Sequence, residues 1–263
     1  MTDPANSNVL HSVEHGIARI VINRPEAANA LQPAHRAIII RLLEEAGLDP
    51  AVRVVVISAN GKQFCSGADV GGIAGPNRAG QGMLRIMNAG LLVAAVLDCA
   101  KPVIGAIQGV AAGLGAHLAF ACDLVIAAEE ASFIEVFVKR GLTVDAAGAY
   151  LLPRLIGVQK AKELVFFGDR LAARDALTMG LVNRVVAATE LSSTVDAFAA
   201  RLASGPTTAI SLAKRQINRS LDIDRATAFL EEGMAQEINS KSDDAAEGVQ
   251  AFMERREPVF KGY

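Results

Sequence analysis

Residues 101–123, KPVIGAIQGVAAGLGAHLAFACD, constrain the fold more than any other stretch: an apolar strand runs through a glycine-studded turn directly into a helix. Gly109, Gly113 and Gly115 permit backbone conformations and close approaches that a Cβ would block. The first N–H groups of the following helix have no intrahelical partner and lie at the positive end of its dipole. A strand–turn–helix of this kind receives an electron-rich group. Two kinds qualify: a phosphate, or a carbonyl oxygen that gains charge during a reaction.

The phosphate motifs do not fit. A dinucleotide fingerprint at Gly113-Leu114-Gly115 needs a small third residue where Leu118 stands, and an early βαβ position. No Gly-Lys-Ser or Gly-Lys-Thr element opens a helix, as a P-loop requires. A second glycine-bearing turn, Phe64-Cys65-Ser66-Gly67-Ala68-Asp69, follows another strand. If one backbone N–H from each turn points at the same oxygen, the pair forms a two-donor oxyanion hole, worth several kcal/mol per donor in a dry site.

Around these turns the pattern is α/β. Short β-branched runs at 17–22, 52–58, 102–107 and 124–127 read as buried strands, with helices at 33–46 and 83–97 between some of them. Asn23-Arg24-Pro25 closes the first of these strands, and Gln32-Pro33 starts a helix with proline at its first position. From 191 the pattern turns helical, which divides the chain into a sheet-containing core, 1–190, and a helical region, 191–263. After the Gly205-Pro206 break, 207–220, 222–239 and 242–255 read as amphipathic helices, with Asp222 and Ser242 as N-caps. The glycine-rich stretch 71–82 is expected to be a mobile loop, a linker before a lid.

At 263 residues and 51% hydrophobic content the chain can bury a large core. A net charge of −2 with scattered Lys and Arg gives no footprint for nucleic acid or an anionic membrane. Three cysteines without metal-ligand spacing, and no signal peptide or spanning apolar run, lead us to expect a reduced, cytoplasmic protein with no metal site.

A family resemblance runs through the whole chain. Asn23-Arg24-Pro25 with Asn29-Ala30-Leu31, the 64–69 turn, Lys101-Pro102-Val103-Ile104, Gly113-Leu114-Gly115, Cys122-Asp123, Gly141-Leu142 and Leu152-Pro153-Arg154-Leu155 recur in this order in the crotonase superfamily, the enoyl-CoA hydratase/isomerase family. Glu247-Gly248 to Phe252, with Lys261, is similar to the family's helical C-terminus. The resemblance implies a crotonase (ClpP-like) spiral of ββα units with a helical C-terminal region, acyl-CoA thioester substrates, and no cofactor beyond the CoA of the substrate. It also implies homotrimers or dimers of trimers. The N–H groups of Ala68 and Leu114 would then hold the thioester oxygen as it becomes an enolate. Arg24 and the backbone at Ala28, with the Ser66-Gly67-Ala68-Asp69 turn and Lys261, would contact CoA.

Hydratases of the family carry two glutamates, and at those positions this chain has His117 and Phe137. Phe137 cannot transfer a proton and is expected to line an apolar acyl pocket. Asp145, in Gly141-Leu142-Thr143-Val144-Asp145, stands where isomerases of the family often have an acid; the pattern is similar to dienoyl-CoA isomerases and to the oxepin-CoA isomerase of phenylacetate breakdown. Desolvation among Leu142, Val144 and Ala146 would raise its pKa toward a range useful for base and then acid work. The bland alternative is that Asp145 caps the helix entering 146–152. Enoyl-CoA isomerisation through Asp145 is therefore the leading expectation. Hydration or thioester hydrolysis using His117, Asp145 and water stays open, as does a catalytically degenerate CoA-binding protein. Glu135 is read as a surface or salt-bridge residue, Asp69 as fixing its own turn, Asp123 as structural, and Cys65 and Cys122 as poor nucleophiles.

Overall fold

The computed structural model describes residues 8–69 and 81–263. Its larger sheet runs in the order β1 (Val9–Glu14), β2 (Ile17–Ile22), β3 (Val54–Ala59), β4 (Val103–Ile107), β6 (Leu124–Ala128), β9 (Arg184–Val186). β1 pairs antiparallel with β2 across the turn His15-Gly16, where both residues have positive φ, 51° and 77°, the backbone that a two-residue hairpin demands. The remaining neighbours are parallel. A smaller sheet is formed by β5 (Val110–Ala112), β7 (Ser132–Ile134) and β8 (Arg170–Ala172).

Chain order explains this division. β4 and β6 each enter the large sheet, and the strand that follows, β5 or β7, enters the small one. After β3 the chain does the same on a smaller scale, with Cys65 bridging Ala111 of β5. The helices α1 (Pro33–Leu48), α2 (Gln81–Asp98) and α3 (Leu114–Ala121) close successive units. The ββα spiral expected above is this arrangement.

Parallel strands need cover on both faces, and alternation along β3 supplies it. Val55 and Ile57 face a core with Leu43 of α1, Leu92 of α2 and Leu118 of α3. Val54 and Val56 face the other way, onto Val195 and Ala199 of α6 (Leu191–Ala203). The change of pattern near residue 191 thus coincides with a helix start, but that helix packs on the sheet of the core. Between β7 and α6 lie α4 (Gly148–Phe167), bent at Gly157, and α5 (Ala173–Met179).

The C-terminal helices are α7 (Thr207–Arg219), α8 (Arg225–Asn239) and α9 (Asp243–Glu254). Ser242 Oγ accepts from Ala245 N at 3.1 Å and caps α9 as expected. The cap of α8 is Asp224, which accepts from Ala226 N and Thr227 N, and not Asp222. Asp222 is taken instead by Tyr150 Oη and Arg154 Nη2 of α4. Of the glycine-rich stretch 71–82, residues 71–80 lie outside the described residues and Gln81 and Gly82 open α2. Among the described residues no helix is long and apolar enough to cross a membrane.

Candidate active site

The two glycine-bearing turns meet. Cys65 N–H donates to Val110 O and Ala112 N–H donates to Cys65 O, which ties the 64–69 turn to β5. On the opposite edge Leu31 N–H donates to Gly67 O at 2.8 Å and Asp69 N–H donates to Leu31 O at 3.1 Å. Because peptide groups alternate along extended chain, these two bonds turn the Ala68 N–H away from Leu31. Gly67 has a φ of 106°, and a Cβ there would lie 2.8 Å from Ala112 O and 3.8 Å from Leu114 N. Only glycine lets the two turns come this close. Leu114 is the first residue of α3, so its N–H has no intrahelical acceptor.

His117 follows Leu114 by one turn of α3, and its side chain has no exposed surface. Its Nε2 lies 3.0 and 3.1 Å from the two carboxylate oxygens of Glu135. Among the described residues its Nδ1 is buried without a partner. The Phe137 ring stacks on the imidazole at 5.6 Å between centroids and 13° between planes. Glu135 is 4% exposed, which corrects its reading as a surface residue. Its partner is His117, and the contact is buried. Its burial left no local signal, because the group that takes its carboxylate, His117, lies 18 residues away on α3.

Asp145 is half-buried. Burial pushes its carboxyl above the usual carboxylate range; His117 and Arg36 beside it push the other way, and Glu135 adds to the rise. Leu142, expected to desolvate it, is itself 51% exposed. Ala146, also expected to do so, is buried. Asp145 does not cap α4: that helix begins at Gly148, with Ala147 in the N-cap position. Ala146 and Ala147 both adopt left-handed backbone, φ 46° and 66°, which costs about 1–2 kcal/mol each for a residue with a Cβ. Gly148 follows, packed so tightly that a Cβ would collide with the imidazole of His117. The turn carrying Asp145 is thereby wedged against the His117–Glu135 pair.

A polar cluster occupies the other end. Arg24 Nη1 donates to Asp69 Oδ2 at 2.7 Å and to Ala30 O at 3.1 Å. Gln32 Nε2 reaches the same Asp69 oxygen at 3.2 Å. The Asp69 side chain therefore joins three segments, a wider role than fixing its own turn. Ser66 N–H donates to Ala28 O at 3.0 Å, and Ala28 and Asn29 are both left-handed. Asn29, fully buried, accepts from Arg24 N and donates to Asn60 O and Gln63 O. Sequence reading used Asn29 only as part of a motif; its signal was an asparagine placed where the backbone turns left-handed. Lys261 lies with the C-terminal helices: its N–H donates to Asp244 Oδ1 and its exposed ammonium is 3.9 Å from Asp243.

Asp123, Cys65 and Cys122 are structural, as expected. Asp123 accepts from Val103 N at 2.7 Å and pairs with the buried Lys214 at 2.8 Å. Cys65 is buried and its thiol is pushed up to about 12 by burial, which removes it as a nucleophile. Burial also pushes Cys122 up.

The spiral of ββα units, with two glycine-bearing turns brought together beside a half-buried acid, defines a protein of the crotonase superfamily. The Enoyl-CoA hydratase/isomerase family model matches residues 12–263. A probable enoyl-CoA hydratase of Rhodobacter capsulatus is 36% identical, over 97% of this chain and 98% of its own. The 1,2-epoxyphenylacetyl-CoA isomerase of Escherichia coli is 35% identical over the same shares. The crystal structure of an enoyl-CoA hydratase from Bacillus anthracis superposes with a TM-score of 0.90 at 35% identity, covering 97% of this chain and 100% of that one. The chain belongs to the enoyl-CoA hydratase/isomerase family and has the crotonase fold.

Proposed function

We propose that the protein isomerises the double bond of an enoyl-CoA, with Asp145 as the proton carrier. The N–H groups of Ala68 and Leu114 hold the thioester oxygen. Asp145 removes a proton beside the thioester carbonyl, the electrons pass into a dienolate on that oxygen, and the proton returns two carbons further along. One carboxylate suffices because the same group gives back what it takes. The observation that carries this reading is the half-buried Asp145 carboxyl, its proton affinity raised by burial, on a turn wedged against His117. Phe137 lines the acyl side.

Water activation by His117 finds less support, because its side chain is sealed from solvent and Nε2 is occupied by Glu135. Arg24, Ala28, Ser66, Gly67 and Asp69 form the CoA side of the site, and Lys261 reaches the CoA of a neighbouring subunit. No cofactor is needed beyond the substrate's CoA. Assembly as a homotrimer or a dimer of trimers, in the cytoplasm, belongs to the same proposal; exposed Phe229, Met234, Phe252 and Met253 on α8 and α9 offer the apolar surface for it. The test is incubation with 2- and 3-enoyl-CoAs in deuterated water. Deuterium at C2 or C4 without net hydration supports isomerisation, and stoichiometric hydration without positional exchange rejects it.

A further inference from the structure

Arg36 brings a charge that neither the oxyanion donors nor the CoA cluster uses. It stands in the first turn of α1, is 7% exposed, and its Nε is buried with no hydrogen-bond partner among the described residues. Among the described residues its guanidinium closes no ion pair or hydrogen bond. Asp145 lies within electrostatic reach, and each group registers the other. The backbone fixes why it is there. α1 begins at Pro33, two residues after Leu31, and the Leu31–Ala68 bridge holds that end of the helix against the thioester turn. Its neighbour His35 already feels Arg24 and Asp69. Arg36 thus stands near the start of the helix that is held to the thioester turn, and its charge is felt at Asp145.

A pocket for plain hydrocarbon would gain from Leu or Met at such a position, since the buried Nε is desolvated for no return. From this placement we infer that Arg36 is a specificity residue receiving an acceptor oxygen on the acyl group. The substrate class is then CoA thioesters whose acyl portion carries an oxygen function beyond the reacting double bond. The location of that double bond rests on the isomerase reading above. Guanidinium offers five N–H donors in a rigid fork. A neutral ether, hydroxyl or carbonyl oxygen suits it better than a carboxylate, which would face like charge whenever Asp145 is ionised.

Binding of saturated acyl-CoAs of equal length, measured by calorimetry, tests this without any turnover. One ligand is a hydrocarbon, one carries an ether oxygen and one a terminal carboxylate. Wild type should bind the ether analogue at least about tenfold more tightly than the hydrocarbon, and Arg36→Met should bring that ratio to within about threefold of unity. Arg36→Lys, which keeps the charge and loses the fork, should keep part of the preference and serves if the methionine variant folds poorly. A preference for the carboxylate over the ether that vanishes in Arg36→Met also supports the anchor, with an anionic source. Equal binding of all three ligands by wild type overturns the inference, as does a preference untouched in both variants. An intact, Arg36-dependent ether preference in a protein that never moves a double bond rejects the isomerase reading and leaves the anchor standing.

Discussion

His117 Nε2 faces both carboxylate oxygens of Glu135, at 3.0 and 3.1 Å, in a place where neither side chain meets solvent to any extent. The pair is packed beneath Phe137 and against Gly148, three residues from Asp145.

Breaking the pair should cost stability. Glu135→Ala leaves a buried imidazole nitrogen without its acceptor, and we expect a loss of about 2–4 kcal/mol in urea unfolding. Glu135→Gln retains an acceptor oxygen and should lose less. A loss near zero for Glu135→Ala would mean that the pair is not formed in solution.

The acid limb of kcat/KM should sit above the ordinary aspartate value of about 3.9, because burial holds the Asp145 proton. His117 opposes that rise, so His117→Asn should move the limb further up. The sign for stability is the reverse of a salt-bridged carboxylate. With the folded pKa raised, stability falls as pH rises from the unfolded value through the folded one. Asp145→Asn should therefore be at least as stable as wild type at neutral pH and show a smaller loss on going from mild acid to neutrality. Paired pH–rate and pH–stability profiles check both statements.

Gly67→Ala places a methyl 2.8 Å from Ala112 O at a φ of 106°. The turn must shift and carry the Ala68 N–H with it. With the Ala68 N–H as the proposed oxyanion donor, this should lower kcat by about 100-fold or more, with CoA binding much less affected. Steady-state kinetics beside CoA titration separate the two effects.

Ala147→Gly relieves left-handed strain at φ 66°. We expect a gain of about 0.5–1 kcal/mol in stability together with a lower kcat, since the turn that presents Asp145 is loosened. A thermal melt and a kcat measurement on the same preparation decide it.

The long elements were legible in the sequence because their periodicity had room to repeat. β2 spans 17–22 and α1 starts at Pro33 as read, and β4 and α7 differ from expectation by a residue at one end. β5, β7 and β8 are three residues each, too short for alternation to register. The hairpin at His15-Gly16 escaped notice because a histidine occupied a position usually taken by Asn or Asp. At the site, the glycines and Asp145 stood out as local pattern. Glu135 and Arg36 did not, because the groups that act on them lie 18 and more than 100 residues away: His117 faces the one and the charge of Asp145 reaches the other.

The most direct test of the proton carrier is Asp145→Asn, shown by circular dichroism to be folded, with 3-enoyl-CoA in deuterated water. Loss of conversion to 2-enoyl-CoA, and of deuterium exchange, by at least about 1,000-fold with thioester binding retained is the predicted result. Conversion within about tenfold of wild type, or exchange at the wild-type rate, would contradict it.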